Sequence, residues 1–230
     1  MRKSIPLFSL LLIPMLATAQ KCVELYDYFK EGITLEYTNY DKKGKAEMVT
    51  TQKVTSLTEN ADTLIATIGA SAVNEKGKDL YSNVFPIKCH EGVIYMDMRS
   101  LVPPQQNAGQ SPDMQMEIKS NDLIFPADMK PGQSLPDSEM ELTVRMGGLQ
   151  IMNNKYYIKN RKVEAEENVT TPAGTYKCLK ISYDFEFKML GTRTYRTEYW
   201  YSQAVGMVKS INYDKKGNVE SRTELTKFSQ

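Results

Sequence analysis

His90 stands beside Cys89, and the two together are the most direct candidates for nucleophile-and-base chemistry in the chain. A thiol activated by an imidazole needs both side chains on one side of the backbone. Adjacent side chains of an extended segment point to opposite faces, so the pair works only if a turn at His90-Glu91-Gly92 folds them together. His90 is the sole histidine, and with three scattered cysteines it offers no paired spacing of the kind zinc requires. Asp184 and Glu186 share a strand face at roughly 7 Å, a separation that suits two-carboxylate glycoside chemistry. Ser182 and Lys188 extend the same row, which reads as a solvated face, and Glu164, Glu166 and Glu167 read the same way. No Gly-rich phosphate loop, nucleophile elbow or dinucleotide fingerprint occurs. The chain therefore names no catalytic residue, calls for no cofactor and no metal, and reads as a non-enzyme. An unrecognised hydrolase built on His90, or on Asp184 and Glu186, is the remote alternative.

Binding chemistry is better represented. Of 13 methionines, Met1 and Met15 fall in an N-terminal leader, which leaves 11 in the mature chain. Met96 and Met98 share one strand face, as do Met114 and Met116, while Met140 and Met146 lie on another. Flexible thioethers suit a surface that must fit variable apolar ligands, although they fill ordinary cores equally well. Tyr195, Tyr199 and Tyr201 fall on one face of a single run that also carries Trp200, the only tryptophan. Met96, Met98, Met140, Met146, Tyr199 and Trp200 are the candidate ligand-binding residues. The partners they fit are a lipid, a lipoprotein or another envelope protein.

The N-terminus carries an export address. Arg2 and Lys3 precede an apolar stretch from Ile5 to Leu16, followed by Ala17-Thr18-Ala19, the small-x-small pattern that signal peptidase accepts. This apolar run is short and interrupted by proline, unlike a membrane span. The expectation is a signal peptide over 1–19, cleavage near Ala19, and a periplasmic or secreted domain over 20–230 with no transmembrane segment. Cys22 is not the first residue after the cut, since Gln20 and Lys21 intervene, which argues against lipidation. Basic and acidic residues number 29 and 28, too even a balance for nucleic-acid binding driven by phosphate neutralisation. In an oxidising compartment the odd count of Cys22, Cys89 and Cys178 implies one bridge and one leftover thiol. Three pairings are open. Cys89 with Cys178 is preferred because both sit in apolar strand-like contexts, and a buried unpaired set is the alternative.

Period-two alternation dominates the rest. Ile33, Leu35 and Tyr37 alternate with polar residues, as do Leu64 to Ala72, Met140 to Met146, and Ile181 to Phe187. This is the pattern of antiparallel sheet with one wet face. Asp41-Lys42-Lys43-Gly44, Asn74-Glu75-Lys76-Gly77, Asp214-Lys215-Lys216-Gly217 and Pro172-Ala173-Gly174 supply hairpin turns. The six residues from Asn39 to Gly44 recur verbatim from Asn212 to Gly217, a repeated good turn rather than a duplicated half. One short helix is expected over 23–30. An N-terminal meander over 33–99 and a C-terminal one over 137–229 flank a Pro-rich connection over 100–136. The fold class is all-β: an antiparallel meander of about a dozen strands, as one curved, open half-barrel-like sheet or two packed sheets, with little helix.

A resemblance adds to this. Asn160-Arg161-Lys162-Val163, Asn168 to Cys178 (Asn-Val-Thr-Thr-Pro-Ala-Gly-Thr-Tyr-Lys-Cys), Glu198-Tyr199-Trp200-Tyr201 and Val205-Gly206-Met207-Val208-Lys209 follow in order. The N-terminal half adds Tyr37 to Gly44, Cys89-His90-Glu91-Gly92 and Pro131 to Asp137. Together they resemble the TapB-like group of exported proteins of unknown function, a domain-of-unknown-function group. That resemblance implies a β-rich exported domain and no activity.

Overall fold

The computed structural model describes residues 22–101, 113–189 and 191–230. The leader and its cleavage point, together with Pro103, Pro104 and Pro112 of the Pro-rich stretch, lie outside these residues. Thirteen strands form one antiparallel sheet. The first five are β1 (Thr34–Asp41), β2 (Ala46–Asn60), β3 (Thr63–Asn74), β4 (Asp79–His90) and β5 (Val93–Asp97). A single 3₁₀ turn, Met98–Leu101, follows them. Then come β6 (Met114–Ser120), β7 (Asp122–Pro126), β8 (Ser138–Met146), β9 (Leu149–Thr171), β10 (Gly174–Lys188), β11 (Thr192–Ser202), β12 (Gly206–Tyr213) and β13 (Val219–Ser229).

Both meanders belong to one sheet because its first strand pairs with its last. β1 runs antiparallel to β13, with Thr34 opposite Ser229 and Tyr37 opposite Leu225. The Pro-rich stretch is not wholly irregular. Its alternating Met114, Met116, Ile118 and Leu123, Phe125 form β6 on β8 and β7 on β5. The run 114–126 thus reaches from one end of the strand order to the other, and the sheet curls into a nearly closed barrel.

Alternation decides the faces. Leu35 and Tyr37, then Leu64, Ala66 and Ile68, then Ile87 and Ile94, turn inward and are buried. The helix expected over 23–30 shrinks to 22–25, because Tyr26, Tyr28 and Phe29 are all drawn into the core. Their rings pack at 5.2–6.1 Å and plug one end of the lumen. The Tyr26 hydroxyl donates to the Gly92 carbonyl at 2.7 Å, and a disulfide from Cys22 to Cys89 anchors the plug to β4.

That disulfide corrects the preferred pairing of Cys89 with Cys178. Six strands separate β4 from β10 in the sheet order, whereas the plug brings Cys22 to a Cα–Cα distance of 6.1 Å from Cys89. Cys178 is free and buried, and burial pushes its thiol up to about 12. A bridge spanning 67 residues contributes about 2–5 kcal/mol by limiting the unfolded chain. Chemical denaturation with and without reductant should show a loss in that range. Alkylation after unfolding without reductant should label Cys178 alone; labelling at Cys22 would contradict the pairing.

The repeated turn has a local cause. The Asp41 carboxylate accepts the backbone N–H groups of Lys43 and Lys45, both at 2.8 Å, and Asp214 does the same for Lys216 and Asn218. Gly44 and Gly217 close these turns at φ of 78° and 82°, where other residues are strained. The Lys45 N–H holds the Asp41 carboxyl below its usual range, and hydrogen bonds from Asn218 do so for Asp214. A folded pKa below the unfolded one gives stability that is complete above the unfolded value of about 3.9. It is lost as pH falls through the lower folded values. An NMR titration should place the Lys45 and Asn218 amide transitions on the acid side of free aspartate; transitions at the free value would refute this origin of the turn.

Candidate functional site

A small, mostly apolar cavity of about 120 Å³ lies against Tyr28 of the aromatic plug. Ile68, Ile94, Met96 and Phe125 line it, together with Tyr28 and Tyr201. The two tyrosine hydroxyls face each other at 3.3 Å. Burial raises the hydroxyl pKa of both, and of Tyr37 beside them, so each is a neutral hydroxyl at physiological pH. Gly206 borders the cavity at φ of 74°. A Cβ there would lie 3.7 Å from the Tyr28 ring, an ordinary contact, so the turn demands glycine for its backbone angle and not for space. Gln52 and Lys53 are the other polar residues of the lining, and the rest of it is mostly apolar. The cavity's volume approaches that of the apolar cavities of about 150 Å³ that admit benzene in other proteins.

The methionines do not converge on it. Met96 lines the cavity, joined by Met207, which alternation did not single out. Met98 is sealed in the 3₁₀ turn, Met140 is buried in β8, and Met146 is 47% exposed at the tip of the β8–β9 hairpin. Tyr199 turns inward beside Phe125, with ring centroids 5.9 Å apart. Trp200 faces the other way, as the next residue on a strand must. Its indole N–H donates to Glu167, and the ammonium groups of Lys180 and Lys209 lie over its ring at 5.2 and 5.6 Å. As candidate ligand-binding residues, Met98, Met140, Met146 and Trp200 are thus placed away from the cavity, and each is occupied by packing or by the outer surface.

The candidate reactive groups are also dispersed. His90 ends β4, with its Nδ1 3.3 Å from an Asp62 carboxylate oxygen, and it does not line the cavity. Asp184 accepts from Asn160 at 2.8 Å and pairs with Arg196. Glu186 pairs with Lys188 at 2.9 Å and with Lys159 at 3.5 Å, and the Lys188 contact lowers its pKa. Among the described residues no group of three or more His, Cys, Asp or Glu could hold a metal ion, and no helix is long and apolar enough to cross a membrane.

One residue that alternation missed holds the site together. Arg161 is only 2% exposed. Its guanidinium donates to the carbonyls of Pro136 (2.9 Å) and Ile124 (3.0 Å) and lies 5.0 Å from the centre of the Phe125 ring. Burial lowers its pKa to about 10, so it remains cationic at neutral pH. A bulge in β9 causes this placement. Asn160 adopts φ of 55° where register with β10 slips between Ser182 and Asp184, and the slip turns Arg161 inward. The local signal is a bulge, which period-two counting cannot see.

Fold and cavity together define an all-β, nearly closed meander barrel around an apolar lumen. The chain belongs to the DUF3108-like family, whose model matches residues 30–225. Its fold is shared with a Bacteroides fragilis protein named, by inference, as exported and with a YmcC-like fold. That match has 21% identity and a TM-score of 0.70, covering 87% of this chain and 97% of the other. A Parabacteroides distasonis protein, inferred to be a lipoprotein, matches at 21% identity and a TM-score of 0.69, covering 87% and 96%. No curated protein matches the chain.

Replacing Arg161 by Met would leave the Ile124 and Pro136 carbonyls buried without donors. The expected cost is about 2–4 kcal/mol in chemical denaturation. A loss under about 0.5 kcal/mol, the level of an ordinary surface change, would show that these bonds do not hold the barrel.

Proposed function

We propose that the protein is a noncatalytic exported binding domain that takes an uncharged apolar group, such as the end of an acyl chain, into the cavity beside Tyr28 and Tyr201. The observation that carries this reading is the cavity itself: a mostly apolar lining, neutral tyrosine hydroxyls and a volume suited to a short hydrocarbon segment. Dispersal of His90, Asp184 and Glu186 supports a role without catalysis. Export is supported by the leader over 1–19, by the disulfide, which oxidising compartments favour, and by the names given to the two structural relatives. The likeness to the TapB-like group belongs to the same reading.

Native mass spectrometry of gently purified protein should reveal a small apolar adduct. Added medium-chain alkyl or acyl probes at about a hundredfold excess over Kd should raise Tm by on the order of 5 °C or more. Ile68→Phe, which fills the cavity, should abolish that rise. Absence of both adduct and shift would refute the proposal. A second reading, a structural or protein-interaction module of the envelope, is favoured by one observation: among the described residues, no strand covers the outer edge of β6.

A further inference from the structure

The two end strands of the sheet are treated differently. Along β7 the outward carbonyls are covered by side chains: Ser138 donates to Asp122 at 3.1 Å and Arg161 to Ile124 at 3.0 Å. The strand then ends at Pro126, which has no N–H to offer. These are means by which proteins blunt an open edge. Among the described residues β6 shows neither a carbonyl capped by a side chain nor a terminal proline. It contains no proline, pairs with β8 without a break in register, and has no strand on its other side among the described residues. Six of its seven residues are exposed, including Met116 at 44% and Ile118 at 37%.

We propose that β6 is the docking edge for a second copy of this chain, joined as an antiparallel β6–β6 pair about a two-fold axis that passes between the two opposed Ile118 residues. Charge chooses both the occupant and the register. Glu117 and Lys119 flank Ile118 and point to the opposite face. Centred on Ile118, the pair sets Glu117 opposite the partner's Lys119, and Lys119 opposite the partner's Glu117. On the other face Ile118 meets its own copy, and Met116 lies across from the partner's Ser120. Opposite charges and apolar side chains directly across a strand pair are favourable, and like charges are not. Centring one residue earlier would set Glu117 against its own copy, so the Ile118 register is selected. Glu117 already lies 3.1 Å from both Lys119 and Arg145 in its own chain, which lowers its pKa and keeps it charged. The contact is isologous and therefore closes as a dimer instead of propagating as a fibre.

The test is sedimentation of the purified protein across a wide concentration range, where a reversible dimer is expected. Glu117→Lys and Lys119→Glu each set like charges across the pair and should weaken self-association roughly tenfold or more. Mixed in equal amounts, the two variants regain complementary charges and should form a one-to-one heterodimer of near-native affinity; that recovery also shows that both are folded. Residues directly opposed across strands have Cα atoms roughly 4.5–5.5 Å apart, within reach of a disulfide. Mild oxidation should therefore link Ile118→Cys to its own copy but leave Met116→Cys unlinked. A monomer at every concentration, charge variants that associate like the native chain, or capture of a different protein's strand without self-association would each overturn the proposal.

Discussion

The guanidinium of Arg161, shared between the carbonyls of Ile124 and Pro136, ties together segments that meet where the sheet curls back on itself. Such closure is a constraint that no single hairpin supplies. Each strand pair from β8 through β13, and from β1 to β5, forms locally by turn and register. The lumen exists only because the run 114–126 pairs with β8 through its first half and with β5 through its second. A cation placed there satisfies backbone oxygens that would otherwise face an apolar interior. Phe125, which the guanidinium overlies, is itself a wall of the cavity and stacks on Tyr201 at 5.1 Å. Closure and cavity are therefore parts of one arrangement.

Another part of the lining depends on the plug. Tyr28 and Ile33 reach the cavity from the segment that the disulfide fastens to β4. Cavity shape is thus linked to the oxidation state of two sulfurs outside it. The buried thiol of Cys178 takes no part, since burial raises its pKa and keeps it protonated.

Alternation made most of this fold legible, because one wet face and one dry face leave a period-two trace in β1, β3, β8 and β10. Turn chemistry was equally readable: the Asp-Lys-Lys-Gly repeats are closed by the aspartates themselves. What escaped was whatever breaks the period or joins distant segments. The bulge at Asn160 turns Arg161 inward, so a cationic side chain becomes the central tie. β6 and β7 were hidden among prolines. Cys89 and Cys178 look alike in local context, and only the path of the plug distinguishes their partners. Of the candidate binding residues, Met96 lines the cavity and Tyr199 turns inward beside it, whereas Trp200 falls on the far face by strand geometry alone. Methionine content indicated an apolar interior without saying which thioethers would reach open space.

One further consequence follows from Cys22. Bacterial anchoring through an acylated cysteine requires a thioether on that residue's sulfur, and a sulfur already bonded to Cys89 has no valence left for it. For this polypeptide the two fates exclude each other. A molecule tethered to a bilayer through Cys22 would surrender the clamp on its aromatic stopper, while one that keeps the clamp diffuses free of any such tether.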